Sequence, residues 1–101
     1  MRKWIYIMAD KPRGSLHVGV TENLLQSVFE HRDGQTEQYG LDKLVYFEEH
    51  NVPAYFNQRE RALNSLRGRE RFDLIESFNP KWEDLWSQIT AGGRADSSIA
   101  S

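Results

Sequence analysis

A phenol, two imidazoles, one carboxylate and a run of guanidiniums are the groups in this sequence whose type and spacing suit chemistry. Tyr6 and His17 stand in successive apolar runs near the N-terminus. Tyr6 either packs as a strand aromatic or lines a site. His17 either belongs to a polar strand face or serves as a base, since an unperturbed imidazole titrates near pH 6.5. Ser27 and His31 are an i, i+4 pair, one turn apart on one helix face. His31 either bonds a backbone carbonyl or joins the site. Ser27 is a small polar residue with no bidentate cation to offer a phosphate. Glu60, flanked by Arg59 and Arg61, is half of a solvated ion pair or a single-carboxylate divalent site. One carboxylate holds Mg²⁺ weakly, because that ion keeps several waters and borrows substrate oxygens. Arg59, Arg61, Arg67, Arg69 and Arg71 set five cations against Glu60 and Glu70, a local net of 5 − 2 = +3. That stretch is a solvated helix surface or a phosphate-facing patch.

The elements that must position these groups follow from pattern. Residues 4–8 form a dense β run, and the turn-rich Asp10-Lys-Pro-Arg-Gly14 closes it. In residues 15–20, Leu16, Val18 and Val20 alternate with His17 and Gly19, which completes a β-hairpin. Gly19 inside a strand signals a bulge or a close backbone approach. Asn23 with Gln26 reads as a capping box for a helix ending near Arg32, with Leu24, Leu25, Val28 and Phe29 toward the core. Residues 34–42 read as a loop and residues 44–48 as a third strand. Pro53 opens a second helix carrying Val52, Phe56, Leu63 and Leu66, which Gly68 ends. Residues 69–78 form a third helix. Asn79-Pro80 is expected to cap a last one, whose stripe is Trp82, Leu85, Trp86 and Ile89. The spacing of Phe72, Phe78, Trp82 and Trp86 marks them as core. The order β-β-α-β-α-α-α is an α+β layout, a three-stranded sheet packed on helices. Residues 1–90 make one domain, and the small-residue stretch 91–101 is expected to be a disordered tail.

The chain has 101 residues, 39% of them apolar and 28% charged, with net charge 13 − 15 = −2. Bulk positive charge therefore does not hold it to nucleic acid. The absence of Cys excludes disulfides, thiol nucleophiles and Cys-type zinc sites, and suits a reducing cytoplasm. The apolar run from Trp4 to Ala9 is too short to span a bilayer and meets charge too soon for a signal peptide, so no membrane role is expected.

Trp4-Ile5-Tyr6 and His17-Val18-Gly19 resemble the two signature triplets of the GIY-YIG nuclease domain, in particular its small stand-alone bacterial members. Val20-Thr21, Leu24 and Glu30-His31-Arg32 match its first helix, and Leu44-Val45-Tyr46-Phe47-Glu48 its third strand. Arg59-Glu60 matches the second helix; Asn79-Pro80, Trp82 and Asp84-Leu85 match its end. The resemblance covers most of the chain. It implies hydrolysis of DNA phosphodiesters with one divalent metal, Mg²⁺ or Mn²⁺. In that family the first tyrosine helps to activate water and the second lines the site. A helix arginine meets the scissile phosphate, a histidine sits one turn along, and a glutamate on the next long helix binds the metal. Cation and metal belong there because the transition state gathers charge on phosphate oxygens.

Carried onto this chain, the resemblance leaves part of a site. Tyr6 stands at the first tyrosine, His17 at the second, Ser27 at the arginine, His31 at the histidine and Glu60 at the metal position. No one-residue shift supplies an arginine, because residues 25–28 read Leu-Gln-Ser-Val. Arg32 is five positions on, about 500° round the helix at roughly 100° per residue, and off the face of Ser27. The expectation is an impaired nuclease-fold domain that binds nucleic acid or protein; the alternative is an active nuclease in which His17 takes a catalytic role. The five residues are expected to line one concave face. Binding to DNA should be weak and salt-dependent, with three to five phosphates neutralised at the arginine patch.

Overall fold

The computed structural model describes residues 2–34 and 40–95. Its elements run β1 (Lys3–Ala9), β2 (Leu16–Thr21), α1 (Leu24–Arg32), β3 (Lys43–His50), α2 (Pro53–Ser65), α3 (Gly68–Phe78) and α4 (Trp86–Ala95). The architecture is α+β, with a three-stranded antiparallel sheet in the order β2-β1-β3. β1 is central and covered on both faces, which is why it reads as a continuous apolar run rather than an alternating one. Ile5, Ile7, Met8 and Ala9 are fully buried.

The pleat divides the core. Tyr6 and Met8 point to the face covered by α1 and α4, where Leu24, Val28, Leu44 and Leu85 are buried with them. Ile5, Ile7 and Ala9 point to the other face, packed with Phe56 and Leu63 of α2 and with Ile75 of α3. His17 pairs with Met8 and Gly19 with Tyr6, so both belong to the α1 side.

A register shift between Ile7 and Met8 opposes them to Tyr46 and Leu44, leaving Val45 as the extra residue of a bulge in β3. The segment that follows α3 secures this bulge. Asn79 Nδ2 donates to the Val45 carbonyl (3.2 Å), Leu85 N–H donates to the Leu44 carbonyl (2.8 Å), and Asp84 Oδ1 accepts from Leu44 N–H (3.3 Å). The segment crosses the sheet here: Trp82 packs with Ile7 and Ile75 on one face, and Leu85 with Tyr6 and Met8 on the other.

That crossing corrects the expected last helix. Asn79 is the C-cap of α3, and Trp82 has φ of +54° in a turn. α4 begins only at Trp86, whose N–H is held by Asp84 Oδ1 at 3.1 Å. Asn-Pro here forms the turn out of α3, and the sheet-end hydrogen bonds, absent from any local pattern, keep residues 79–85 non-helical. α4 also runs on to Ala95, into the stretch expected to be tail; residues 96–101 lie outside the described residues, as do 35–39 of the expected loop.

Smaller differences have similar causes. Asn23 Oδ1 caps α1 through the Gln26 N–H (3.1 Å), but the Gln26 side chain bonds Glu30 instead of closing the box. Leu25, Phe29, Val52 and Phe78 are 44–48% exposed, so α1 turns Leu24, Val28 and His31 inward. α2 ends at Ser65; Gly68 starts α3, where the Glu70 carboxylate accepts from the Arg67 N–H (2.8 Å). Among the described residues no helix is long and apolar enough to cross a membrane.

Candidate functional site

Strand pairing places Gly19 directly beneath the Tyr6 ring. A Cβ at residue 19 would lie 2.5 Å from Tyr6 Cζ and 2.6 Å from its hydroxyl oxygen, so the close approach expected of this glycine is to the phenol. The ring lies across β2 and carries its hydroxyl to His31 Nε2 at 3.1 Å. His17 completes the group. Its ring centroid is 5.2 Å from that of His31 and 6.4 Å from that of Tyr6, while Tyr6 and His31 are 5.7 Å apart. Ser27, one turn before His31, donates to Thr21 Oγ1 at 2.6 Å and stands in hydrogen-bonding reach of the phenol.

Four of the expected residues, Tyr6, His17, Ser27 and His31, thus meet on one face of the sheet. The expectation of an open concave face fits them less well: Tyr6 and His31 are 5% and 6% exposed, and His17 is half-buried on the edge strand. A groove of about 510 Å³ opens elsewhere, lined by Trp4, Leu24, Leu25, Phe47 and Ile89, and none of the four lines it.

Burial governs the protonation of the cluster. It pushes the Tyr6 phenol above its ordinary value, helped by the nearby Glu30 carboxylate and opposed by Ser27. It holds the His17 imidazole below its ordinary value. His31 is lowered by burial and by His17, against the pull of Glu30. Two neutral imidazoles and a neutral phenol therefore face one another at pH 7, with Glu30 as the nearby fixed charge. Sequence reasoning missed Glu30 and Thr21 as neighbours. The signal for Glu30 was present, because residues 27, 30 and 31 share one helix face.

Glu60 is not brought into this group. It rides on α2, which packs through Phe56 and Leu63 against the Ile5 face of the sheet, so a Glu60–Tyr6 contact would have to pass around the sheet edge. Its backbone carbonyl accepts from Asn64 Nδ2 at 3.0 Å. Among the described residues no three His, Asp or Glu side chains are grouped to hold a metal ion. A single half-buried carboxylate does not by itself make a Mg²⁺ or Mn²⁺ site.

The arginine series divides as well. Arg59 Nε donates to both Glu48 oxygens (2.9 and 3.1 Å), and Glu48 also accepts from the Tyr46 hydroxyl and bonds His50 Nε2 at 2.7 Å. Burial pushes the Glu48 carboxyl up, but these partners outweigh it and hold it below its ordinary value. Arg71 donates to the Leu63 and Asn64 carbonyls at the end of α2 (3.3 and 3.0 Å). Both guanidiniums thus have partners within the fold. Arg61, Arg67 and Arg69 are exposed. Arg32 pairs with Asp84 and stacks over Trp86 (5.0 Å to the ring centroid), away from Ser27.

No protein-family model, curated protein or solved structure matches the chain.

Proposed function

We propose that this chain is a GIY-YIG-type domain that has lost efficient phosphodiester hydrolysis and retains weak binding to nucleic acid. What carries the reading is the Ser27 side chain. It occupies the helix position facing Tyr6, ends in a hydroxyl bonded to Thr21, and has no guanidinium to replace it, since Arg32 is tied to Asp84. A site that must offset charge on phosphate oxygens here holds neutral rings and the Glu30 carboxylate, which repels phosphate. Mg²⁺ or Mn²⁺ would rest on Glu60 and substrate oxygens alone. The second reading, an active nuclease using His17, draws on the three-ring contact, which sets His17 beside Tyr6 and His31.

Binding rests on Arg61, Arg67 and Arg69, because Arg59 and Arg71 are engaged within the fold. Arg67 and Arg69 flank the N-terminus of α3, where the helix dipole favours anions. With at most three phosphates neutralised, log K should fall with log salt at a slope no steeper than about −3. Fluorescence anisotropy of a labelled duplex between about 50 and 200 mM salt measures this. The Arg67→Ala/Arg69→Ala protein should lose affinity and about two units of slope. Tight, salt-insensitive binding, or binding unchanged in that variant, would overturn the reading.

A further inference from the structure

We propose that the nucleic acid this chain binds is single-stranded, and that a cleft beside Tyr55 takes one of its unpaired bases. The proposal rests on the nucleic-acid reading above and adds the form of strand that is bound. On α2, Tyr55, Gln58, Arg59 and Ala62 follow helical spacing and share one side of the helix. With His50, at the end of β3, they line a cleft of about 330 Å³, at the small end of ligand-sized clefts.

The lining suits a base. Tyr55 is 65% exposed, the most exposed large apolar side chain among the described residues. Phe56 and Leu63 make the core contacts of α2, so the Tyr55 ring is not needed there, and any base can stack on such a ring. Gln58 adds an amide that both donates to and accepts from a base edge. The rest of the wall is held in place before binding. Glu48 accepts from Arg59 Nε at 2.9 and 3.1 Å and bonds His50 Nε2 at 2.7 Å, and the His50 ring packs edge-on against Phe56. No carboxylate lines the cleft, unlike the groove beside Trp4, which carries Glu49. The cations lie where a strand would continue. Arg61 is one turn beyond Gln58 on the exposed side of α2, and Arg67 and Arg69 follow where α2 gives way to α3. No ion pair among the described residues engages any of the three. A duplex keeps its bases paired and stacked and would have to open to fill the cleft, whereas a single strand offers base and phosphates together.

Fluorescence anisotropy of the full chain with a labelled DNA strand of about 12 nucleotides, alone and annealed to its complement, tests the assignment at about 50 mM salt. The strand should bind about fivefold or more tightly than the duplex, the factor expected from one stacked base. Tyr55→Ala should remove most of that preference and leave duplex binding unchanged, while Tyr55→Trp should keep it. Tyr55 is exposed, so neither substitution threatens the fold. A strand bound no more tightly than the duplex would overturn the single-strand assignment and leave the nucleic-acid reading standing. So would a preference unchanged in Tyr55→Ala or lost in Tyr55→Trp. Binding of neither form would overturn both.

Discussion

Replacing Gly19 with Ala should destabilise the protein through the Tyr6 ring alone. The position is an ordinary ladder pair with Tyr6, so the substitution adds a methyl group without a forbidden backbone angle. That methyl would meet Tyr6 Cζ, hydroxyl and Cε1 at 2.5, 2.6 and 2.8 Å, well inside van der Waals contact. The ring has little room to yield, because Tyr6 is 5% exposed and packs on His17 and His31. Forcing a methyl into such packing costs about 1–3 kcal/mol. Displacing the phenol from His31 adds about 0.5–1.5 kcal/mol for a lost hydrogen bond. Removing a glycine restricts the unfolded chain and returns about 0.4–1 kcal/mol. The net expectation is a loss of about 0.5–4 kcal/mol. Urea denaturation of wild type, Gly19→Ala, Tyr6→Leu and the double variant measures it as a cycle. In the Tyr6→Leu background the same methyl should cost almost nothing, since its obstacle is gone. A Gly19→Ala protein as stable as wild type, or an equal penalty in both backgrounds, would refute the argument.

Two further outcomes follow from the segment that crosses the sheet. Asn79→Ala should cost about 1–3 kcal/mol in urea denaturation, because the 6%-exposed amide bonds the Val45 and Glu83 carbonyls and the Glu83 N–H. Asn79→Asp should fail comparably, since a carboxylate cannot donate to either carbonyl. Glu76 is held down to about 2 by Arg13 and by Trp82 Nε1–H (2.7 Å). A depressed carboxylate stabilises the fold above its ordinary value of 4.5, and that contribution is lost as pH falls from there toward 2. The stability gap between wild type and Arg13→Gln should therefore be constant above about pH 5 and narrow below it; a gap independent of pH contradicts the pairing.

The strands and α1 were legible because their signals are local: a dense apolar run, an alternating run after a Pro/Gly turn, and Asn23 ahead of a helix. Gly19 announced a close approach, although only the pairing shows that the neighbour is Tyr6. Residues 79–85 were misread because Asn-Pro opens helices as readily as it leaves them. Here the decision belongs to Val45 and Leu44, more than thirty residues away. The partners of Arg59 and Arg71, Glu48 and the carbonyls ending α2, lay beyond a local pattern for the same reason. In the site, β alternation and the i, i+4 pair sufficed to bring Tyr6, His17, Ser27 and His31 together. Glu60 could not be placed that way, because which face a helix covers is a property of the whole sheet.

The central claim, that hydrolysis was lost with the arginine and the second tyrosine, is tested most directly by plasmid nicking with Mg²⁺ and Mn²⁺. Wild type, Ser27→Arg, His17→Tyr and the double variant are compared. Loss of one charged transition-state donor costs roughly 10²–10³ in rate, so wild type should stay at background and the double variant should rise above it. Efficient, metal-dependent cleavage by wild type that His17→Ala abolishes would contradict the account.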